Sequence, residues 1–314
     1  MALTINHETN EITNATGIVT VNGTEVGGDN TPTFYGSRGI FGGGAGPVNT
    51  IEYITINTTG NATDFGNLTV ARSELAACSS GARGVFAGGS TGGASNTIDY
   101  ITIATAGNAT DFGDLLSGRD GLAACSSVTR GLFGGGRNSS STKLTDIVYV
   151  TISTTGNSTD FGDLAQGAFM ISACSNGARG VFGGGLDASN IIQYVTIDTT
   201  GNATDFGDLT TNVSYLAACS NDTYGLFGGG YTGSTINTIE YITIATTGNA
   251  TDFGDLTAAK NSLAACSDGT YGIFGGGSGP VNTIEYVTIA TPGNATDFGD
   301  LTAAATRLAA CSGT

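Results

Sequence analysis

The sequence predicts an all-β chain, a six-bladed β-propeller with four antiparallel strands per blade, and three observations carry that expectation. The first is a repeat, marked by Phe41, Phe86, Phe133, Phe182, Phe227 and Phe274 at intervals of 45, 47, 49, 45 and 47 residues. The second is that each unit holds four short apolar runs bounded by turn residues, with no helical period anywhere. The third is phase. The first unit begins at "YGSRGIFGGG" without its small-residue run, and the chain ends on "LAACSGT", one spare copy of that run. Residues 308–312 are therefore expected to complete the blade holding Phe41, closing the ring and removing an open sheet edge.

Residues 1–33 stand outside the repeat. "LTINHETNEITNATGIVTVNGTEVGG" alternates and turns at Gly17, which reads as one or two strands of a short N-terminal β arm. Leaders of this kind, "LTINHETN" then "IVTVNGT", are similar to those heading bacteriophage tail-fibre and other virion proteins. That resemblance implies attachment to other virion subunits or homotrimer formation, and a chain made in the host cytoplasm for use on a virion. The start of the chain also lacks the basic and apolar regions of a secretory signal.

Within residues 34–314 each unit follows one order. "LAACS" and "GVFGG" are compact apolar strands separated by a polar turn such as "SNGAR". "IEYITI" is β-branched and aromatic, with apolar residues on both faces, as suits a strand buried between sheets. "DFGDL" is an outer strand entered through the turn residues of "TTGNAT". This order, with its glycine doublets and spaced aromatics, resembles the kelch repeat. The chain departs from that family in having no Trp; Phe65, Phe112, Phe161, Phe206, Phe253 and Phe298 stand in its place.

The near-identical "TGNATDFGDL" stretches pose a choice between a cation loop used six times and the mortar of the fold. Their Asn, Thr and Asp oxygens suit Ca²⁺, but the dense alternation of acidic ligands is missing. Asn and Asp brace turns equally well, so a structural role is expected. "N-A-T" as a glycosylation acceptor is treated as incidental. "GGG" is not a phosphate loop, because no Lys-Ser/Thr and no helix follow it. The cysteines at 78, 125, 174, 219, 266 and 311 take equivalent inner-strand positions and are expected to be free, buried thiols.

Composition narrows function. The net charge of −16 opposes binding to nucleic acid, no apolar run is long enough to span a membrane, and the single histidine, His7, removes most His-based catalysis. Some kelch-like propellers are copper oxidases, whose histidine ligands are missing here. No cofactor or metal is expected.

Comparison of the six copies locates recognition. Only the segment between the glycine run and the "I-x-Y" strand changes length, at 6, 8, 10, 6, 8 and 6 residues, while the segment before "LAACS" varies most in identity. Strand alternation sends both segments, the b–c loop and the d–a connection, to one face, where loops on a rigid scaffold place binding residues. Partner binding at that face is also what the kelch resemblance implies. Arg72, Arg119, Lys260, Arg137, Lys143 and Arg307 all fall in these segments, with Phe169, Met170, Tyr215 and Tyr231 beside them. A basic mouth on an acidic body is expected to attract an anionic host-surface glycan or other receptor, with aromatic rings for stacking. The alternative is a purely structural virion protein whose variable loops fit neighbouring subunits. A glycan-degrading enzyme using Glu74 and Asp120 is less favoured, because both acids read as solvated charges.

Overall fold

A computed structural model describes residues 35–186, 189–279 and 281–313, together with 4–6, 11–13, 20–21 and 24–25. The chain divides into two units, Met1–Thr33 and Phe34–Thr314. In the first, Thr4–Asn6 pairs antiparallel with Glu11–Thr13, and Thr20–Val21 with Thr24–Glu25. His7 and the turn expected at Gly17 lie outside the described residues.

The second unit is a six-bladed β-propeller. The second blade shows the plan: Ala76–Ser79 innermost (strand a), then Arg83–Ala87 (b), Thr97–Thr102 (c) and Thr110–Asp114 (d), each antiparallel to its neighbour. The first blade takes Arg38–Gly42, Thr50–Thr55 and Thr63–Asn67 from the start of the repeats and its inner strand, Ala309–Gly313, from the end. Closure thus falls within one residue of the expected segment, with Cys311 opposite Ile40.

Small residues let the blades wedge together. The Phe of each b strand is buried against the preceding blade, Phe86 against Gly42, Phe182 against Gly134 and, across the closure, Phe41 against Gly275. Each cysteine sulfur faces the b-strand glycine of the next blade, so a Cβ on Gly131 would lie 2.7 Å from Cys78 Sγ. The thiols therefore point into the blade interfaces, and all six are buried and free. The Phe of each "DFG" meets the "I-x-Y" tyrosine edge-on in every blade, with Tyr100 and Phe112 centroids 6.0 Å apart. Arg38, Arg83, Arg130 and Arg179 lie over that tyrosine's ring and donate to the carbonyl just past the c strand of the next blade, as Arg83 does to Ile152 at 2.9 Å.

The "GNATDFG" stretch is mortar in this structure. At all six junctions the Asn carboxamide oxygen accepts the backbone N–H that ends the preceding blade's d strand, from Asn108 to Asn67 at 3.0 Å round to Asn61 and Asp300 at 3.1 Å. The glycine that follows the Phe has a positive φ, 149° at Gly66, and a Cβ there would run into the backbone carbonyl of Gly107 in the adjoining turn. The six copies are alike because all six junctions impose one geometry.

Burial holds the thiols protonated, pushing Cys174 and Cys311 up to about 12 and the others in the same direction. A raised folded-state pKa gives stability that is complete below the unfolded thiol value and is lost as pH rises through the folded one. The unfolding midpoint is therefore expected to fall between about pH 9 and pH 12, less steeply in Cys174→Ala. Six thiols should react with a thiol reagent in denaturant and none quickly in the folded protein; rapid native reaction would contradict this packing.

Candidate functional site

The chain enters each inner strand through a residue four positions before the cysteine. These six residues are Glu74, Gly121, Met170, Tyr215, Ser262 and Arg307, and all are left-handed, with φ between 56° and 61°. Each donates its backbone N–H to the carbonyl of its counterpart in the preceding blade. The bonds run Gly121 to Glu74, Met170 to Gly121, Tyr215 to Met170, Ser262 to Tyr215 and Arg307 to Ser262. Glu74 to Arg307 closes the circle, and every distance lies between 2.8 and 3.1 Å. The circle explains the conformation: the strand must bend sharply to aim this N–H along the ring. For the five non-glycine residues the bend costs on the order of 1 kcal/mol each, which the surrounding hydrogen bonds offset.

Inside the circle is a cavity of about 120 Å³, open to solvent at the mouth and lined by the six ring residues and the three that follow each. Beneath the rim the wall is Leu or Ile and then small residues, with the alanine before each cysteine partly buried and packed against a blade interface. Two residues deeper, serine hydroxyls donate to the preceding blade's serine carbonyl, as Ser126 does to Ser79 at 2.8 Å; five junctions show this bond.

A second tier surrounds the mouth, where the residue before each ring position meets the b–c loop. Backbone bonds join Ser73 to Ser90, Asp120 to Arg137, Phe169 to Leu186, Ser214 to Tyr231, Asn261 to Ser278 and Thr306 to Ala45. Both variable segments therefore do share one face. The rim is lopsided. One arc is ionic: Arg307 donates to the Glu74 carboxylate at 2.6 Å, and Arg137 Nε to Asp120 at 2.9 Å. Burial pushes the Glu74 carboxyl above its usual range and Asp120 adds to this, while Arg307 and Arg137 oppose it. The adjoining arc is apolar. The Phe169 ring fills the space a side chain would take at Gly121, Met170 sulfur lies beside it, and the Arg137 guanidinium stacks on Phe169 at 4.2 Å.

The structure corrects half of the expected basic mouth. Arg72 and Arg119 are fully buried and Lys260 nearly so, and they pair with Asp99, Asp146 and Glu285. Their offset, six before the cysteine, lies one residue deeper than the tier just described, within the blade wall. The partners explain the pattern. The x of "I-x-Y" points at the end of the preceding blade's d strand, where Glu52, Glu240 and Glu285 accept the backbone N–H of Thr302, Thr210 and Thr257. Asp99 is one methylene shorter and accepts from the Thr69 hydroxyl instead, while Arg72 Nη2 donates to its other oxygen.

The other expected residues divide. Arg307 lines the mouth and keeps a side-chain exposure of 45%, Tyr215 lines it too, and Tyr231 is exposed in the second tier. Phe169 is buried under Arg137. Lys143 stands apart, donating to the Leu186 carbonyl at 3.2 Å at a separate cavity between the third and fourth blades. Glu74 and Asp120 are not solvated charges, since both carboxylates are mostly buried in arginine pairs. Ser262, Gly121 and the ring role of Glu74 escaped the sequence reading, although the signal was present: the fourth residue before each cysteine reads E, G, M, Y, S, R, different in all six copies. Among the described residues no group of three or more His, Cys, Asp or Glu is placed to hold a metal ion. No family model and no curated protein matches the chain.

Two outcomes are expected. Arg72→Met, which strands Asp99, should lower the unfolding free energy by about 3–5 kcal/mol, and adding Asp99→Leu should recover more than half of it; an additive loss in chemical denaturation would contradict the pairing. Ser262→Gly, which relieves a left-handed serine, should raise stability by up to about 1 kcal/mol; a lower denaturation midpoint would show that the bend is not imposed on the side chain.

Proposed function

We propose that the propeller is the recognition head of a virion-associated protein, a phage tail fibre or decoration module, which binds a host-surface glycan through the channel mouth while the N-terminal arm joins other virion subunits. One observation carries the binding part of this reading. Six equivalent positions share one strained backbone conformation and one hydrogen-bond circle, yet bear six different side chains. A position used only for folding would repeat, as "GNATDFG" does. Strain kept at a rim of unlike side chains is the pattern of a site whose residues are chosen for what they contact. The leader's likeness to virion proteins supports the placement on a particle.

The ligand favoured by this rim differs from the anionic one expected from sequence. With Arg72, Arg119 and Lys260 buried, the mouth charges are Glu74, Arg307, Asp120 and Arg137, which pair off with no net sign. Carboxylate–guanidinium pairs beside the Tyr215 ring suit the hydroxyls and flat face of an uncharged sugar. Glu74 and Asp120 act in this reading as hydrogen-bonding groups of a binding protein and not as an acid and base. A structural virion role is favoured by a different observation, the exposed Leu116, Val70 and Val48 of the first two blades, which offer apolar surface to a neighbouring subunit.

A glycan array separates the two. Wild type should bind a subset of neutral glycans; Tyr215→Ala should weaken binding at least tenfold with unchanged thermal unfolding, and Arg307→Ala should do so with a lower unfolding midpoint, because the buried Glu74 carboxylate loses its partner. Absence of binding by wild type would favour the structural role.

A further inference from the structure

We infer that the channel under the mouth circle is a seat for an open-chain polyol, so that the glycan gripped at the mouth carries a glycerol- or ribitol-like arm that passes through the circle. This rests on the glycan reading above and names its substrate class. The backbone of the inner strands points to it. Along a strand, main-chain N–H and C=O groups turn to alternate edges. In the second blade the Ser80 N–H bonds the Arg83 carbonyl at 3.0 Å where strand a turns into b, so Cys78 and Ala76 also face b. The main-chain groups of Ala77 and Ser79 therefore face the axis, where the inner strand has no neighbour in its own sheet. Polar backbone on such an edge needs another partner.

The mouth circle above supplies its own bonds. Below, serine hydroxyls do so: Ser126 Oγ donates to the Ser79 carbonyl at 2.8 Å and accepts the Ser79 N–H at 3.3 Å. Between these two levels lie Ala77, Ala124, Ala173, Ala218, Ala265 and Ala310, which line the channel and have no hydroxyl. Among the described residues, nothing bonds their axis-facing N–H and C=O groups. One level of the channel thus presents six donors and six acceptors. A cation there would meet the N–H groups and an anion the carbonyls, whereas a hydroxyl both donates and accepts. The bore selects shape. Strands joined by main-chain bonds stand about 5 Å apart, and a hexagon's radius equals its side, so the circle's backbone lies about 5 Å from the axis. Allowing for the backbone's own thickness, a hydroxylated carbon chain passes and a pyranose ring lying across the opening does not. The alanines come three residues after the circle, a depth of no more than about 10 Å. The cavity of about 120 Å³ has the volume of about four waters, which a short polyol would replace bond for bond.

The test is calorimetric titration of the full chain with the methyl, n-propyl and glyceryl glycosides of galactose and glucose. The propyl and glyceryl probes share one carbon chain and differ only in hydroxyls. A glyceryl glycoside is expected to bind at least about tenfold tighter than its propyl counterpart, and propyl no tighter than methyl. A variant can copy the serine level. In Ala173→Ser and Ala265→Ser the new hydroxyl stands two residues before Ser175 and Ser267, placed to bond the free groups of Ala124 and Ala218 as those serines bond Ser126 and Ser220. The double variant should lose at least about fivefold in glyceryl binding, keep its propyl binding, and unfold at the same temperature or higher. Equal binding of glyceryl and propyl glycosides, or a glyceryl preference untouched in the folded double variant, would overturn the polyol seat while the glycan reading stands on its array result. Binding of no glycoside would overturn the seat alone if the array is positive, and both readings if the array is blank.

Discussion

The structure depends on one constraint: six wedges must close a circle, so every blade must meet the next in the same way. Directional contacts at three radii enforce this. At the mouth the backbone N–H groups form an unbroken ring, lower down serine hydroxyls reach the preceding blade's carbonyls, and at the outside each Asn caps the preceding blade. Because these bonds use backbone atoms or short side chains, they fix spacing to a few tenths of an ångström. The apolar contacts fill what remains, which is why glycines and cysteines sit where a larger side chain would pry the blades apart.

This division of labour explains how strain and variety coexist at the mouth. A left-handed serine, methionine or tyrosine would relax if only its own neighbours held it. Here its N–H is one link of a closed circle, and relaxing one link opens two junctions. Side-chain identity is thereby uncoupled from the backbone, and the rim can carry an ionic arc and an apolar arc on the same frame. The Arg72–Asp99, Arg119–Asp146 and Lys260–Glu285 pairs, whose cations are all buried, belong to the opposite category: charges that hold strand c to the chain entering its blade.

How much of this could be read from sequence follows from what each residue's role requires. The blade count, the closing strand, the free thiols and the mortar role of "GNATDFG" were legible, because they rest on residues repeated at fixed spacing. The shared face of the two variable segments followed from strand alternation alone. The exposure of Arg72, Arg119 and Lys260 did not, since a cation in a variable segment looks the same whether it meets solvent or a carboxylate across a blade junction. Their partners were visible in principle: Asp99 and Glu285 hold the x position of "I-x-Y" in the blade each cation precedes. Asp146 breaks that pattern, for Val148 occupies the x position and the acid sits two residues earlier. Backbone handedness at the mouth was the least legible feature, because only one of its six residues is glycine.

Hydrogen exchange at the six mouth amides, Glu74, Gly121, Met170, Tyr215, Ser262 and Arg307, tests the central claim most directly. These amides lie at an opening to solvent, so ordinary loop amides there would exchange within seconds to minutes. A closed circle of bonds predicts that they exchange only with opening of the ring, at protection close to that of the inner strands and equal in all six despite their different side chains. Fast exchange at any of them, or protection that tracks side-chain size, would contradict it.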